Sequence, residues 1–172
     1  MDRSKMEGHK VDENLMKSIL GMDLKMILVE KLTACQRGDG WKYLCAEPVL
    51  HFKSRASSER PVYWVLSWRE TEEGDDQLLI AETSNTDSLS NFQRVDGFRE
   101  PVIAGSSIHL ENATVQRVFM YGYKDVHPEF LTSIVLELRN VYVTCISGPV
   151  FTVTVSNTFP ENLDGELYRG GV

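Results

Sequence analysis

Residues 61–68 read PVYWVLSW, and the alternation of apolar and other side chains in this stretch is typical of a β-strand. Side chains of a strand point alternately to its two faces, so one face carries Val62, Trp64, Leu66 and Trp68. A face this apolar has to be buried against a second layer of structure. The stretch therefore predicts a sheet that contributes one face to a core.

A later stretch, residues 150–156, has the same period of two. Its apolar side chains are predicted to point inward (Phe151, Val153, Val155) and its hydroxyl side chains outward (Thr152, Thr154, Ser156).

Residues 133–146 contain two apolar sets that differ in phase. Ile134, Leu136 and Leu138 precede Asn140, and Val141, Val143 and Cys145 follow it. Because strand side chains alternate with a period of two, this shift predicts a bulge or a turn at Asn140.

A short helix is predicted before the strands, in residues 12–21 (DENLMKSILG). Asp12 can cap its N-terminus, and Gly21 can end it. Four apolar side chains fall on one face: Leu15, Met16, Ile19 and Leu20. A helix of this length is not stable alone, so we expect it to pack on the sheet.

The pattern along the whole chain predicts a mainly β fold. We expect one helix and about eight to ten strands, which suits a closed or two-layer β domain. Residues 1–10 are polar and are expected to form a disordered tail, and residues 11–172 a single domain. The alternative is an α+β domain with a further helix around Ser84–Asn91.

Residues 24–54 are predicted to contain a hairpin. Asp39-Gly40 is a strong turn signal, so Arg37-Gly38-Asp39 is interpreted as a hairpin tip rather than an adhesion motif. Residues 41–54 (WKYLCAEPVLHFKS) predict two short strands or one strand broken at Pro48.

The tripeptide Ser-Asn-Thr occurs at residues 84–86 and again at residues 156–158. The same offset aligns the apolar faces of residues 62–66 and 134–138, and we interpret it as an internal duplication. The alternative is that any two β-meanders match once their apolar faces are aligned.

If the duplication is real, the domain consists of two similar β-meander halves, residues 24–95 and residues 107–165. The two triplets are then expected to end equivalent strands, where short polar side chains cap backbone groups.

The composition narrows the classes of partner. Hydrophobic residues at 42% and charged residues at 25% are ordinary for a globular protein, and the net charge is −7. Nucleic acids and anionic membranes are not predicted partners, because both need clustered cationic side chains. The N-terminus lacks the apolar core of a signal peptide, so we expect a cytoplasmic protein.

The three cysteines are an odd number without metal-site spacing. Cys35 and Cys145 lie in apolar runs, where a free thiol is usually a small buried side chain. We expect these two and Cys45 to be reduced.

The sequence contains no Gly-rich phosphate loop, no Gly-x-Ser-x-Gly elbow and no His-Glu-x-x-His motif. No cofactor is predicted. Among the histidines, His9 lies in the polar tail and His127 in a loop. His109 and Glu111 would share one face of a strand, as a metal pair requires. Together with His51 they are the candidate metal ligands.

Aromatic side chains provide the candidate interaction residues. Trp64 and Trp68 share one face, and Phe119, Tyr121 and Tyr123 share another. Most of these rings are expected in the core. An exposed subset, with Trp68, Tyr121 and Tyr123 as its candidates, would form a protein-binding patch.

The sequence favours a non-enzymatic binding or protein-interaction module. Its partner would be an unidentified protein or a second copy of the chain, as a homodimer. The alternative is a hydrolase or metal-dependent enzyme whose site is assembled only in three dimensions, from His51, His109 and Glu111.

Overall fold

The structure, a computed structural model, describes residues 12–30, 32–56, 60–124 and 129–171. Fourteen strands, one short α-helix and one 3-10 turn lie in this part of the chain. The mainly β prediction is confirmed. The strands outnumber the expected eight to ten because several are only two to four residues long and leave no alternation to detect.

Two antiparallel sheets contain twelve of these strands. The five-stranded sheet consists of β1 (Asp23–Val29), β4 (Val49–Lys53), β5 (Val62–Glu70), β6 (Asp76–Thr83) and β9 (Ser106–His109), in the order β6-β5-β4-β1-β9. The seven-stranded sheet consists of β2 (Leu32–Arg37), β3 (Gly40–Cys45), β10 (Arg117–Tyr123), β11 (Phe130–Glu137), β12 (Tyr142–Ile146), β13 (Phe151–Ser156) and β14 (Gly165–Gly171), in the order β14-β10-β11-β12-β13-β3-β2. The short strands β7 (Phe92–Gln93) and β8 (Val102–Ile103) pair with each other.

The two sheets pack face to face around one core. Ile27 and Trp64 from the five-stranded sheet and Ile134 and Val153 from the seven-stranded sheet are inaccessible to solvent and belong to the same cluster. Burying one such side chain contributes about 1.5–3 kcal/mol. The inward faces predicted for residues 62–68, 134–138 and 151–155 all line this core, so these predictions are confirmed.

The N-terminal helix α1 (Glu13–Ser18) begins as predicted. The carboxylate of Asp12 accepts hydrogen bonds from the backbone N–H groups of Asn14 and Leu15, at 2.9 and 3.4 Å. Met16 and Ile19 are fully buried in the core, and the chain leaves the helix before Gly21, which has a φ of +79°. The predicted cap and the predicted apolar face are confirmed.

One carboxylate ties this helix to the five-stranded sheet. Glu82 on β6 accepts a hydrogen bond from the Ser18 hydroxyl at 3.0 Å. The same carboxylate oxygen accepts from the indole N–H of Trp64 on β5 at 3.2 Å. Trp64 has no exposed surface, so this bond satisfies the polar atom of the largest side chain in the core.

Residues 84–105 cover part of the outer face of the five-stranded sheet. Leu89 and Phe92 pack there on Leu28, Val49 and Tyr63. The further helix considered around Ser84–Asn91 is absent from this described segment, which has only a 3-10 turn at Thr86–Ser88. The side chain of Asn85 accepts from the N–H of Asp87 at 2.9 Å, and such local bonds favour a turn over a longer helix. The α+β alternative is therefore wrong.

The phase change at Asn140 is a turn, as predicted. The N–H of Leu138 donates to the carbonyl of Val141 at 2.9 Å, so Arg139 and Asn140 form the tip of the β11–β12 hairpin. Residues 41–54 form two strands, and β3 and β4 lie in different sheets.

The structure does not confirm the internal duplication. The offset between the triplets places β5 on β11 and β6 on β13. β5 and β6 pair directly, whereas β12 lies between β11 and β13. The strands therefore have different neighbours. Each triplet does lie at the end of a strand, and its short side chains bond backbone groups there, as Ser156 does to the carbonyl of Thr158 at 2.7 Å.

The predicted tail at residues 1–10, including His9, and the loop position His127 lie outside the described residues. No helix in the described ranges is both long and apolar enough to cross a membrane.

Candidate functional site

His51 and His109 lie on the outer face of the five-stranded sheet. Met26 on β1 pairs with His51 on β4 and with His109 on β9, so the two histidines are separated by two strand spacings, or about 10 Å. Glu111 lies beyond β9, which ends at His109, and is exposed in a bend before Asn112, whose φ is +50°. The expectation that His109 and Glu111 share a strand face is wrong, because the strand ends between them.

Burial keeps His51 uncharged. Desolvation, with smaller effects from the charges of Lys53 and Lys25, lowers the pKa of His51 to about 4. A neutral imidazole can bind a metal, but the two nearby cations oppose one. Within the described ranges, no three His, Cys, Asp or Glu side chains come together as a metal-binding group.

The candidate interaction residues do not form one patch. Trp68 is half-buried and faces the core between the sheets. Tyr121 is only 8% exposed and packs with Phe119 and Leu163 on the outer face of the seven-stranded sheet. Tyr123 is exposed, and its ring lies 5.0 Å from that of Phe130.

The most exposed regular structure is the β2–β3 hairpin, residues 32–45, which we call the edge hairpin. β2 is the last strand of the seven-stranded sheet, and every residue from Thr33 to Arg37 is exposed. The base of the hairpin joins the core through Leu32 and Cys45, and Tyr43 is half-buried against the same core. Its distal part therefore extends past the region where the two sheets cover each other.

The tip of the edge hairpin is formed by Gly38 and Asp39. Arg37 pairs with Gly40, and Gly38 has a φ of +56°, as two-residue hairpin turns often require. The predicted hairpin is confirmed, but the turn lies one residue before Asp39-Gly40. Gly40 has a different role: a Cβ atom there would overlap the carbonyl oxygen of Val155 on β13.

The register of the edge hairpin determines which backbone groups are free. The pair that flanks a two-residue turn, Arg37 and Gly40, exchanges both backbone hydrogen bonds, and the pattern then repeats at every second residue. Cys35 and Thr33 consequently bond to β3. The N–H and C=O groups of the intervening residues, Leu32, Ala34 and Gln36, point away from the sheet.

The inner face of the edge hairpin carries two aromatic rings. Trp41 is 46% exposed and stacks on Tyr43, with ring centroids 6.3 Å apart and planes inclined by 19°. Ala34 pairs with Tyr43. Because the alanine side chain is small, a side chain beyond the edge of β2 has room to reach the Tyr43 ring.

The two sheets have three other edge strands, and two of them, β14 and β9, are better protected than β2, whereas β6 is eight residues long with charges only at Asp76 and Glu82. β14 carries Glu166 and Arg169, which form an ion pair at 2.8 Å, and β9 is only four residues long. Proteins commonly protect their edges with charges or short strands, because unpaired backbone groups recruit other chains. Between Leu32 and Gln36, β2 carries no charge and no proline.

The structure has three free thiols, and Cys35 differs from the expectation. Cys35 is exposed, because alternation places it on the outer face of an edge strand. Cys45 and Cys145 are buried in the core. Burial raises the pKa of Cys45 to about 11 and also raises that of Cys145.

Sequence reasoning missed this site. Trp41 and Tyr43 have the spacing of one strand face, but nothing in the sequence shows that the core covers Tyr43 in part and leaves Trp41 exposed. The free edge of β2 depends on which strands pair, and that is a property of the assembled sheet.

Comparisons of the chain with models of protein families, with curated proteins and with solved structures found no match.

Proposed function

We propose that the protein is a binding module that takes up an extended segment of another protein by strand addition to β2. The observation that carries this proposal is the unprotected edge at Leu32, Ala34 and Gln36, next to the exposed ring of Trp41 and the half-buried ring of Tyr43. In strand addition, backbone hydrogen bonds provide affinity and the alternate side chains provide specificity.

The geometry supports a binding strength suited to reversible regulation. Three residues of β2 each offer one N–H and one C=O group, and a hydrogen bond contributes a net of about 0.5–1.5 kcal/mol. Apolar contact with the rings of Trp41 and Tyr43 strengthens the binding free energy, and the entropy lost when the segment becomes ordered weakens it. We expect dissociation constants between about 1 mM and 1 μM.

The metal-dependent alternative has less support. Its candidate His51 is half-buried beside Lys25 and Lys53, His109 is exposed two strands away, and Glu111 lies past the end of the strand. The free thiols favour a reducing compartment, so we place the binding activity in the cytoplasm.

The experiment is to select binders from a library of random octapeptides displayed on phage, and to test them against two variants at one position. Ala34→Pro removes a free N–H of the edge without removing a bond to β3. Ala34→Ser changes the side chain and keeps that N–H. Circular dichroism and thermal unfolding establish that both variants are folded.

The proposal predicts that the selected peptides bind the wild-type protein and Ala34→Ser alike and bind Ala34→Pro at least about tenfold more weakly, a loss of about 1.4 kcal/mol. Equal binding to folded Ala34→Pro would place the peptides elsewhere and refute strand addition at β2. If no selected peptide binds Ala34→Pro more weakly than the wild-type protein, strand addition at β2 is refuted as well.

A further inference from the structure

We infer that the segment taken up at β2 alternates bulky apolar side chains with acidic ones. This inference rests on the proposed function and specifies the chemistry of the partner. It follows from the difference between the two faces of the edge hairpin.

The inner face of the edge hairpin is uncharged. Residues of an added strand that bond to Ala34 and Gln36 place their side chains on this face, because paired residues in a sheet point to the same side. They meet the short side chain of Ala34 and, past it, the ring of Tyr43 stacked on Trp41. A bulky apolar side chain fills this space and covers the part of the two rings that the core leaves exposed.

The outer face of the edge hairpin is cationic. Alternation places Arg37 and Lys42 there, with the neutral Thr33, Cys35 and the exposed Leu44 beside them. Neither cation forms an ion pair with any residue in the described ranges. The carboxylate of Asp39 lies in the turn, beyond the paired stretch.

Acidic side chains on the added strand would supply the missing counter-charges. Residues that lie opposite Thr33 and Cys35, or near Arg37, point to the outer face. In a chain of net charge −7, two cations without an ion pair on one hairpin, Arg37 on the edge strand and Lys42 on its neighbour, mark a local site for a negative partner.

A second copy of the chain fits this surface less well. β2 carries no carboxylate between Leu32 and Arg37. Antiparallel pairing of two β2 strands would bring two more cations to the edge and no compensating charge. The partner we infer is therefore an acidic, apolar segment of a different protein.

The test compares two acetylated and amidated octapeptides labelled with a fluorophore. One alternates glutamate with valine and has a central phenylalanine, and the other has lysine in place of every glutamate. Binding to the full chain is measured by fluorescence anisotropy at low and at high ionic strength. Light scattering is recorded at the same protein concentrations.

The matched variants are Arg37→Glu and Arg139→Glu. Each changes the net charge by the same amount, but Arg139 is exposed in the β11–β12 turn, and β13 and β3 lie between that turn and β2. We expect the acidic peptide to bind the wild-type protein about tenfold more tightly than the basic one, as two or three exposed charge pairs allow. We expect Arg37→Glu to abolish this preference, Arg139→Glu to keep most of it, and salt to reduce it.

Equal binding of the two peptides, or the same effect of both variants, would overturn the inference about the partner. The proposed function would still hold if Ala34→Pro abolished binding of both peptides. Dimers that dissociate in Ala34→Pro would also overturn the inference, because a second copy would then occupy the edge. If neither of these two peptides binds but the library peptides do, the inferred alternation of acidic and apolar side chains is wrong, and β2 still binds extended segments.

Discussion

The imidazole ring of His51 stacks on the phenol ring of Tyr63, with centroids 4.7 Å apart and planes inclined by 21°. The contact lies on the outer face of the five-stranded sheet, where His51 pairs with Tyr63 across β4 and β5. The Nδ1 atom of His51 is buried and has no hydrogen-bond partner. Burial at this contact, with the nearby charges of Lys53 and Lys25, therefore favours the neutral ring and opposes protonation.

The first prediction is that this histidine weakens the fold in acid. The pKa of His51 is about 4 in the folded protein and about 6.5 in the unfolded chain, so the unfolded chain binds more protons between these values. The free energy of unfolding should fall as the pH decreases from about 6.5 to about 4. Urea unfolding across this range measures it.

The variant His51→Phe retains a ring at this position and removes the titrating group. Its stability should decline less steeply over the same pH range, although carboxylates such as Asp23 still titrate in both proteins. Parallel curves for the two proteins would contradict this account of His51.

A second prediction concerns the carboxylate shared by the helix and the sheet. Glu82→Ala leaves the buried indole N–H of Trp64 without an acceptor and should reduce the free energy of unfolding by about 1–3 kcal/mol. Glu82→Gln keeps an acceptor oxygen and should cost less. Denaturant unfolding measures the free energy of unfolding of both variants. Equal losses would show that the charge of Glu82, rather than its hydrogen bond to Trp64, stabilises the fold.

A third prediction separates the cysteines by their surroundings. Cys35 is exposed on β2, whereas Cys45 and Cys145 are buried with raised pKa values. Because the thiolate is the reactive form, only Cys35 should react quickly with a thiol reagent in the native protein. All three should react in denaturant. The variant Cys35→Ser is the control and should show no fast reaction in the native protein. Fast reaction of a second thiol in the native protein would contradict the burial of Cys45 and Cys145.

The parts of the fold that the sequence predicts are those decided by local pattern. The inward face of residues 62–68, the cap at Asp12 and the turn at Asn140 all follow from spacing along a few residues. Each of these patterns carries its own physical cause, since a strand alternates with a period of two and a helix terminus needs an acceptor.

The parts that the sequence does not predict depend on which strands become neighbours. The internal duplication is not confirmed, because the offset aligns the β5–β6 hairpin with β11 and β13, and β12 lies between those two strands. Cys35 is exposed because β2 is the last strand of its sheet. The ring of Trp41 is exposed only because the core does not extend to its end of β3. No local pattern records these relationships.

Strand addition at β2 is tested most directly by residue-resolved amide hydrogen exchange, measured by NMR with and without a peptide selected from the library. In the free protein, the amides of Ala34 and Gln36 should exchange fast and those of Thr33 and Cys35 more slowly, because only the latter bond to β3. The account predicts that the peptide slows Ala34 and Gln36 and leaves Thr33 and Cys35 almost unchanged. Peptide binding that leaves Ala34 and Gln36 in fast exchange would contradict it.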